Sequence, residues 1–145
     1  HMTIYTIGFT QKTAEQFFTL LKQSGLLRLI DVRLNNVSQL AGFTKKNDLR
    51  FFLREICQID YIHLPALAPT QEILNGFKKS GGDWPTYEKN FVQLITARRI
   101  ETVVDKEIIG GGCLLCSEPT PGHCHRRLVA EYFRAKWNDV EIRHL

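Results

Sequence analysis

The run that begins at Leu26 constrains the fold more than any other part of the chain: apart from Arg28 it is apolar until Asp31, and Val32 continues it. A strand buried on both faces reads this way, and that environment belongs to a parallel sheet covered by helices. The flanking segments agree. Ile4 to Phe9 is a short β-type run closed by Gly8, followed by Thr13-Ala-Glu-Gln16, a capping-box pattern that predicts a helix start. Phe17, Leu20 and Leu21 give that helix one apolar stripe, and Ser24-Gly25 ends it. Beyond the polar stretch Asn36 to Gly42, a second helical pattern puts Leu49, Phe52, Leu53 and Ile56 on one face, with Thr44 or Asn47 as cap.

Tyr61 to Leu64 predicts a third strand, halted by Pro65. Two helices follow near Gln71 to Lys79 and Tyr87 to Arg99, separated by the turn Ser80-Gly-Gly-Asp-Trp-Pro85. Glu101 to Ile109 fits helix and strand equally. Gly110-Gly-Gly112 breaks the chain before a fourth strand, Cys113-Leu-Leu-Cys116. Leu128, Val129, Tyr132 and Phe133 stripe the last helix, and Val140 to Leu145 supplies a terminal strand. Strands alternating with helices predict an α/β fold: a single three-layer domain over residues 1–145, with a mostly parallel central sheet and helices on both faces. His1-Met2 reads as a cloning remnant and is left out of the site argument.

A chain of 145 residues buries roughly two-thirds of its unfolded surface, so its cysteines are not needed to hold it together. No apolar run reaches the length of a spanning helix and no signal-peptide pattern opens the chain, which predicts a cytoplasmic protein with no membrane partner. The net charge of +4 favours anionic partners weakly. Four cysteines allow two disulfides, but three of them lie between Cys113 and Cys124, a crowding that points to chemistry or metal rather than a staple.

In an α/β sheet, ligands gather beyond the carboxyl ends of the strands, where helix N-termini aim their amides. The polar residues expected there are Gly8-Phe9-Thr10, Asp31, Arg33, His63, Cys116, Glu118, Cys124, His125 and Arg126. Asp31 and Arg33, two apart on a strand, share a face and either pair with each other or meet a ligand. Cys116 and Glu118 share a face if the strand runs that far, and Cys113 then points the other way. His63 either makes a structural hydrogen bond or lines the pocket. A thiol at a helix N-terminus beside cations has its pKa drawn from about 8.5 towards 7 or below, which suits Cys124 to act as nucleophile or metal ligand. Zinc held by Cys113, Cys116, Cys124 and His125 or His123 has the right ligand types, although an extended strand separates the first two sulfurs. No tyrosine-phosphatase loop, Walker A sequence or dinucleotide glycine motif is present.

Thr6-Ile-Gly8, Asp31-Val-Arg33, Leu64-Pro65-Ala-Leu67, and Cys113-Leu-Leu-Cys116-Ser-Glu118 with Cys124-His125-Arg126 together resemble the bacterial and archaeal family known as domain of unknown function 488. The resemblance spans essentially the whole chain and implies an α/β fold with no established activity. Gly8, Asp31, Arg33, Cys116, Glu118, Cys124, His125 and Arg126 match its motif positions.

Three functions are then open. One is an enzyme acting on a phosphate-bearing substrate such as a nucleotide or nucleic acid end. In it Glu118, Cys116, Cys124 and His125 are catalytic, and Gly8, Thr10, Asp31, Arg33, His63 and Arg126 bind substrate. Another is a DNA- or RNA-binding module without chemistry, carried by Lys45-Lys46, Lys78-Lys79, Arg98-Arg99 and Arg126-Arg127. The third is a small zinc domain, the first two readings requiring no cofactor.

Overall fold

The computed structural model of the protein describes residues 1–35, 42–118 and 120–145, so most of the polar stretch expected from Asn36 to Gly42 lies outside the described residues. Five strands, β1 (Met2–Gly8), β2 (Arg28–Asp31), β3 (Asp60–His63), β4 (Gly112–Cys116) and β5 (Val140–His144), form one sheet in the order β3-β2-β4-β1-β5. All four pairings are parallel. The long apolar run is therefore a near-central strand, as its composition requires. Arg28 enters it because its Nη1 donates to the carbonyls of Ile108 and Gly110 at 2.8 and 3.1 Å, which satisfies the guanidinium at the sheet's lower edge.

Side chains alternate between two cores. Phe17, Phe18 and Leu21 of α1 (Ala14–Ser24) and Leu49 of α2 (Lys46–Phe52) pack with Ile7, Leu29, Cys113 and Leu115 on one face. On the other, α4 (Trp84–Arg98) and α7 (His125–Lys136) pack over Ile4, Ile30, Leu114 and Cys116. Helices thus cover both faces of the sheet, with α3 (Gln71–Lys79) against α4. The capping box at Thr13 is present in both directions, and Gly25 closes α1 in the left-handed conformation at φ 79°.

Several boundaries differ from the sequence-based expectation. The N-cap of α2 is Lys45, with no side-chain cap, rather than Thr44 or Asn47. After Phe52 the helix continues as a π turn over Leu53–Cys57. Its wider turn rotates the stripe, so Leu53 stays buried while Ile56 is exposed. The segment Glu101 to Ile109 resolves into two one-turn helices, α5 (Ile100–Val103) and α6 (Lys106–Ile109). No helix among the described residues is long and apolar enough to cross a membrane.

Candidate functional site at the carboxyl edge of the sheet

The connections after β1 and β2 turn towards the α1 face, and those after β3 and β4 towards the α7 face. Adjacent strands whose exits diverge leave a crevice at their carboxyl ends. A cavity of about 430 Å³ occupies it, walled by Phe9 after β1, Arg33 to Asn35 after β2, Cys116 to Glu118 after β4, His123 to His125 at the start of α7, and Trp84 and Tyr87 of α4.

Of the residues expected at this rim, Phe9, Arg33, Cys116, Glu118, Cys124 and His125 line the cavity. The others stand behind its wall. Asp31 is fully buried and accepts four hydrogen bonds: from Arg33 Nε at 2.9 Å, Arg33 Nη2 at 2.8 Å, the Arg33 amide at 3.1 Å and the Tyr61 hydroxyl at 2.6 Å. The pair holds the guanidinium in one orientation and raises its already high pKa, overcoming burial, which opposes the charge. His63 donates from Nε2 to the Arg33 carbonyl at 2.8 Å, a structural role. Arg33 Nη2 also donates to the Thr44 carbonyl at 2.7 Å, while Nη1, equally buried, has no hydrogen-bond partner among the described residues.

Arg126, expected as an anion ligand, is wholly buried behind the cavity. Its Nη1 donates to the Glu118 carbonyl at 2.8 Å and its Nε to Thr6 Oγ1 at 3.4 Å, so it props up the segment after β4 from below. β4 ends at Cys116, so Glu118 does not share a strand face with it; the Glu118 side chain is exposed at the cavity rim. Gly8 belongs to the same support. A Cβ there would come within 1.6 Å of the Glu118 carbonyl oxygen, so β1 and the post-β4 segment can approach only across a glycine. The amide of Thr10 donates to the Ser117 carbonyl at 2.9 Å, and the threonine lies outside the cavity.

The chemistry-bearing cluster is Cys116, Cys124 and His125, whose ligand-type atoms all lie within 4.8 Å of one another. Cys124 is the N-cap of α7, with no side-chain cap bond of its own. His125 Nε2 lies 2.7 Å from the Val32 carbonyl and Nδ1 lies 3.3 Å from Cys116 Sγ. A carbonyl only accepts, so Nε2 carries a proton and Nδ1 is the ring nitrogen turned to the sulfurs. Burial opposes ionisation of both thiols. For Cys124 the hydrogen bonds from Cys116 and His125 and the positive charge of Arg126 outweigh it and hold the pKa well below the ordinary thiol range. Burial, and then Cys124 itself, push Cys116 well above that range. Cys113 belongs to the opposite core, its pKa raised by burial; it is remote from this cluster by the alternation of β4 and cannot be a fourth ligand alongside Cys116.

Sequence reasoning overlooked Tyr61, whose hydroxyl helps fix Asp31, and the aromatic wall. Trp84 stacks on both Tyr87 and His123, each at 5.0 Å between centroids. The turn before α4 announces a helix start but nothing about which way its first tryptophan faces. The basic pairs disperse: Arg98 Nη1 donates to the Ala66 and Ala68 carbonyls, and Arg127 pairs with Glu88 and Glu131.

No curated protein and no solved structure matches the chain. Residues 13–133, which run from the cap of α1 to the last turns of α7 and contain the whole Cys116–Cys124–His125 cluster, match one family. With the motif residues placed at one rim, the chain belongs to the family described as Domain of unknown function DUF488.

Proposed function

We propose that the protein is an enzyme acting on a phosphate-bearing substrate of the nucleotide class, bound in the cavity at the carboxyl edge of the sheet. The observation that carries this reading is Arg33: a guanidinium in the cavity wall, fixed through Nε and Nη2, with Nη1 buried and unpaired among the described residues. A buried donor without a partner is costly, at about 1–3 kcal/mol, and an oxyanion offers it an acceptor. The uncapped first turn of α7 supplies amides and the positive end of a twelve-residue helix at the same cavity, through Cys124 and His125. Lys78 adds a cation in the wall, and the His123–Trp84 stack gives a planar group a surface to rest on.

In this reading Arg33 and the α7 amides bind and orient the phosphate. Glu118, exposed at the rim, exchanges protons with the substrate, and the Cys116–Cys124–His125 cluster supplies the reacting group. Asp31, Tyr61, His63, Gly8 and Arg126 are positioning residues.

The test is calorimetric titration with inorganic phosphate and with a nucleoside 5′-monophosphate. The parent protein is expected to bind, and Arg33→Lys, which keeps the charge but loses the fork, is expected to weaken binding about tenfold, or about 1.4 kcal/mol. No binding by the parent, or equal binding by a natively folded Arg33→Lys variant, refutes the reading.

A further inference from the structure

We infer that Cys116, Cys124 and His125 form a three-ligand site for a zinc-class divalent ion, open on its fourth side to the cavity. The ligand atoms, two sulfurs and one imidazole nitrogen, lie within 4.8 Å of one another, a spacing that one soft cation can span after small side-chain rotations. All three groups are nearly closed to water, at 5%, 2% and 6% exposure. Two sulfurs and an imidazole gathered out of solvent form a donor set that suits a soft or borderline divalent ion.

The histidine is already oriented for the task. Metal-bound imidazoles donate their second ring N–H to a carbonyl or carboxylate, which fixes the tautomer and aims the other nitrogen; here Val32 is that carbonyl and Nδ1 is the aimed atom. Cys116 ends a fully buried strand, and the two residues after it are held through their carbonyls, Ser117 by the Thr10 amide and Glu118 by Arg126 Nη1.

The count of ligands decides the type of site. Cys113 faces the opposite core and Cys57 packs at the α1 face, so neither sulfur completes a closed four-ligand cage. Three protein ligands with a free position facing a cavity is the arrangement of a metal that takes water or substrate, rather than one that only holds a fold together. That the free position receives a phosphate oxygen rests on the function proposed above; the three-ligand site itself does not.

The experiment uses the full chain, stripped with chelator and kept reduced. Cobalt(II) is titrated in as the probe, without phosphate. One equivalent is expected to produce thiolate-to-metal charge-transfer absorption and the visible bands of a tetrahedral ion, and zinc(II) is expected to abolish both. Cys124→Ser is the decisive variant, because serine is a favoured N-cap and should leave α7 in place. It is expected to weaken cobalt binding by at least about tenfold, and Cys113→Ala to leave it unchanged. Absence of the bands in a parent whose four thiols titrate as free overturns the site, as does binding that Cys113→Ala removes and Cys124→Ser spares. Phosphate calorimetry on the chelated protein separates the two proposals: phosphate binding without cobalt bands removes only the metal, and cobalt bands without phosphate binding remove only the substrate.

Discussion

The Val32 carbonyl accepts a hydrogen bond from His125 Nε2 at 2.7 Å, joining the end of β2 to the start of α7 across 93 positions of sequence. That single bond decides which ring nitrogen faces Cys116 and Cys124, and therefore what the cluster can do. It depends on β2 standing at its register against β4, which places Asp31 beside Leu115. The buried pair on β2 holds that strand end in place.

Asp31→Asn is therefore expected to cost about 3 kcal/mol or more, because it leaves the Arg33 guanidinium buried without its counter-charge. Tyr61→Phe removes one hydrogen bond to the same carboxylate and is expected to cost about 1.5 kcal/mol. Urea unfolding of both variants checks the ranking. Equal and small losses would mean that the pair is not the support described.

Gly8→Ala tests the support from β1. The added methyl would collide with the Glu118 carbonyl and crowd Arg126 Nη1, so the segment after β4 must move. Overpacking of this kind costs about 1–3 kcal/mol. The expected signature is a double one: lower urea stability together with weakened phosphate binding, because the Cys116–Glu118 wall of the cavity moves relative to Arg33 and the α7 amides that hold the phosphate. A variant that loses stability but keeps full affinity would separate Gly8 from the site.

Much of this was legible in the sequence. The parallel sheet follows from the apolar run at Leu29 and Ile30, and the gathering of Arg33, Cys116, Cys124 and His125 around one cavity follows from polar residues ending such strands. The division of labour was not. Arg126 read as a substrate ligand and Glu118 as a catalytic group, but the guanidinium donates to the Glu118 backbone carbonyl, a contact that no side-chain pattern encodes. Ile56 read as a core position at helical spacing, and one π turn moved it to the surface. The aromatic wall comes from α4, far along the chain from the cysteine cluster, and only the packing of that helix on α7 brings the two together.

At the carboxyl end of the edge strand β5, His144 Nδ1 lies 2.6 Å from Thr6 Oγ1. Burial, and then the charge of Arg126, hold its pKa below the ordinary value of 6.5. A histidine with a depressed folded pKa contributes stability that is present above its unfolded pKa and lost as the pH falls through the folded one. Stability is expected to decline as the pH is lowered below about 6.5, and His144→Gln to flatten that part of the curve. Denaturation midpoints measured across this range decide it. An unchanged slope in the variant would assign the loss to other groups.

Trp84 offers a direct report on the cavity. It is 8% exposed, lines the cavity, and stacks on Tyr87 and on His123. His123 is exposed and is the partner that a bound ring can displace or stack upon. The chain's other tryptophan, Trp137, stacks on Phe133 near the end of α7, so Trp137→Phe leaves Trp84 as the sole emitter. In that background a nucleoside 5′-monophosphate is expected to change the emission, and inorganic phosphate, too small to reach the ring while seated at Arg33, to change it far less. Adding His123→Ala should raise the exposure of Trp84 to a soluble quencher and reduce the affinity for the nucleotide while sparing that for phosphate. If both ligands leave the emission unchanged although calorimetry detects binding, the planar part of the substrate lies elsewhere, and the His123–Trp84 stack is a packing feature of α4 and not part of the recognition surface.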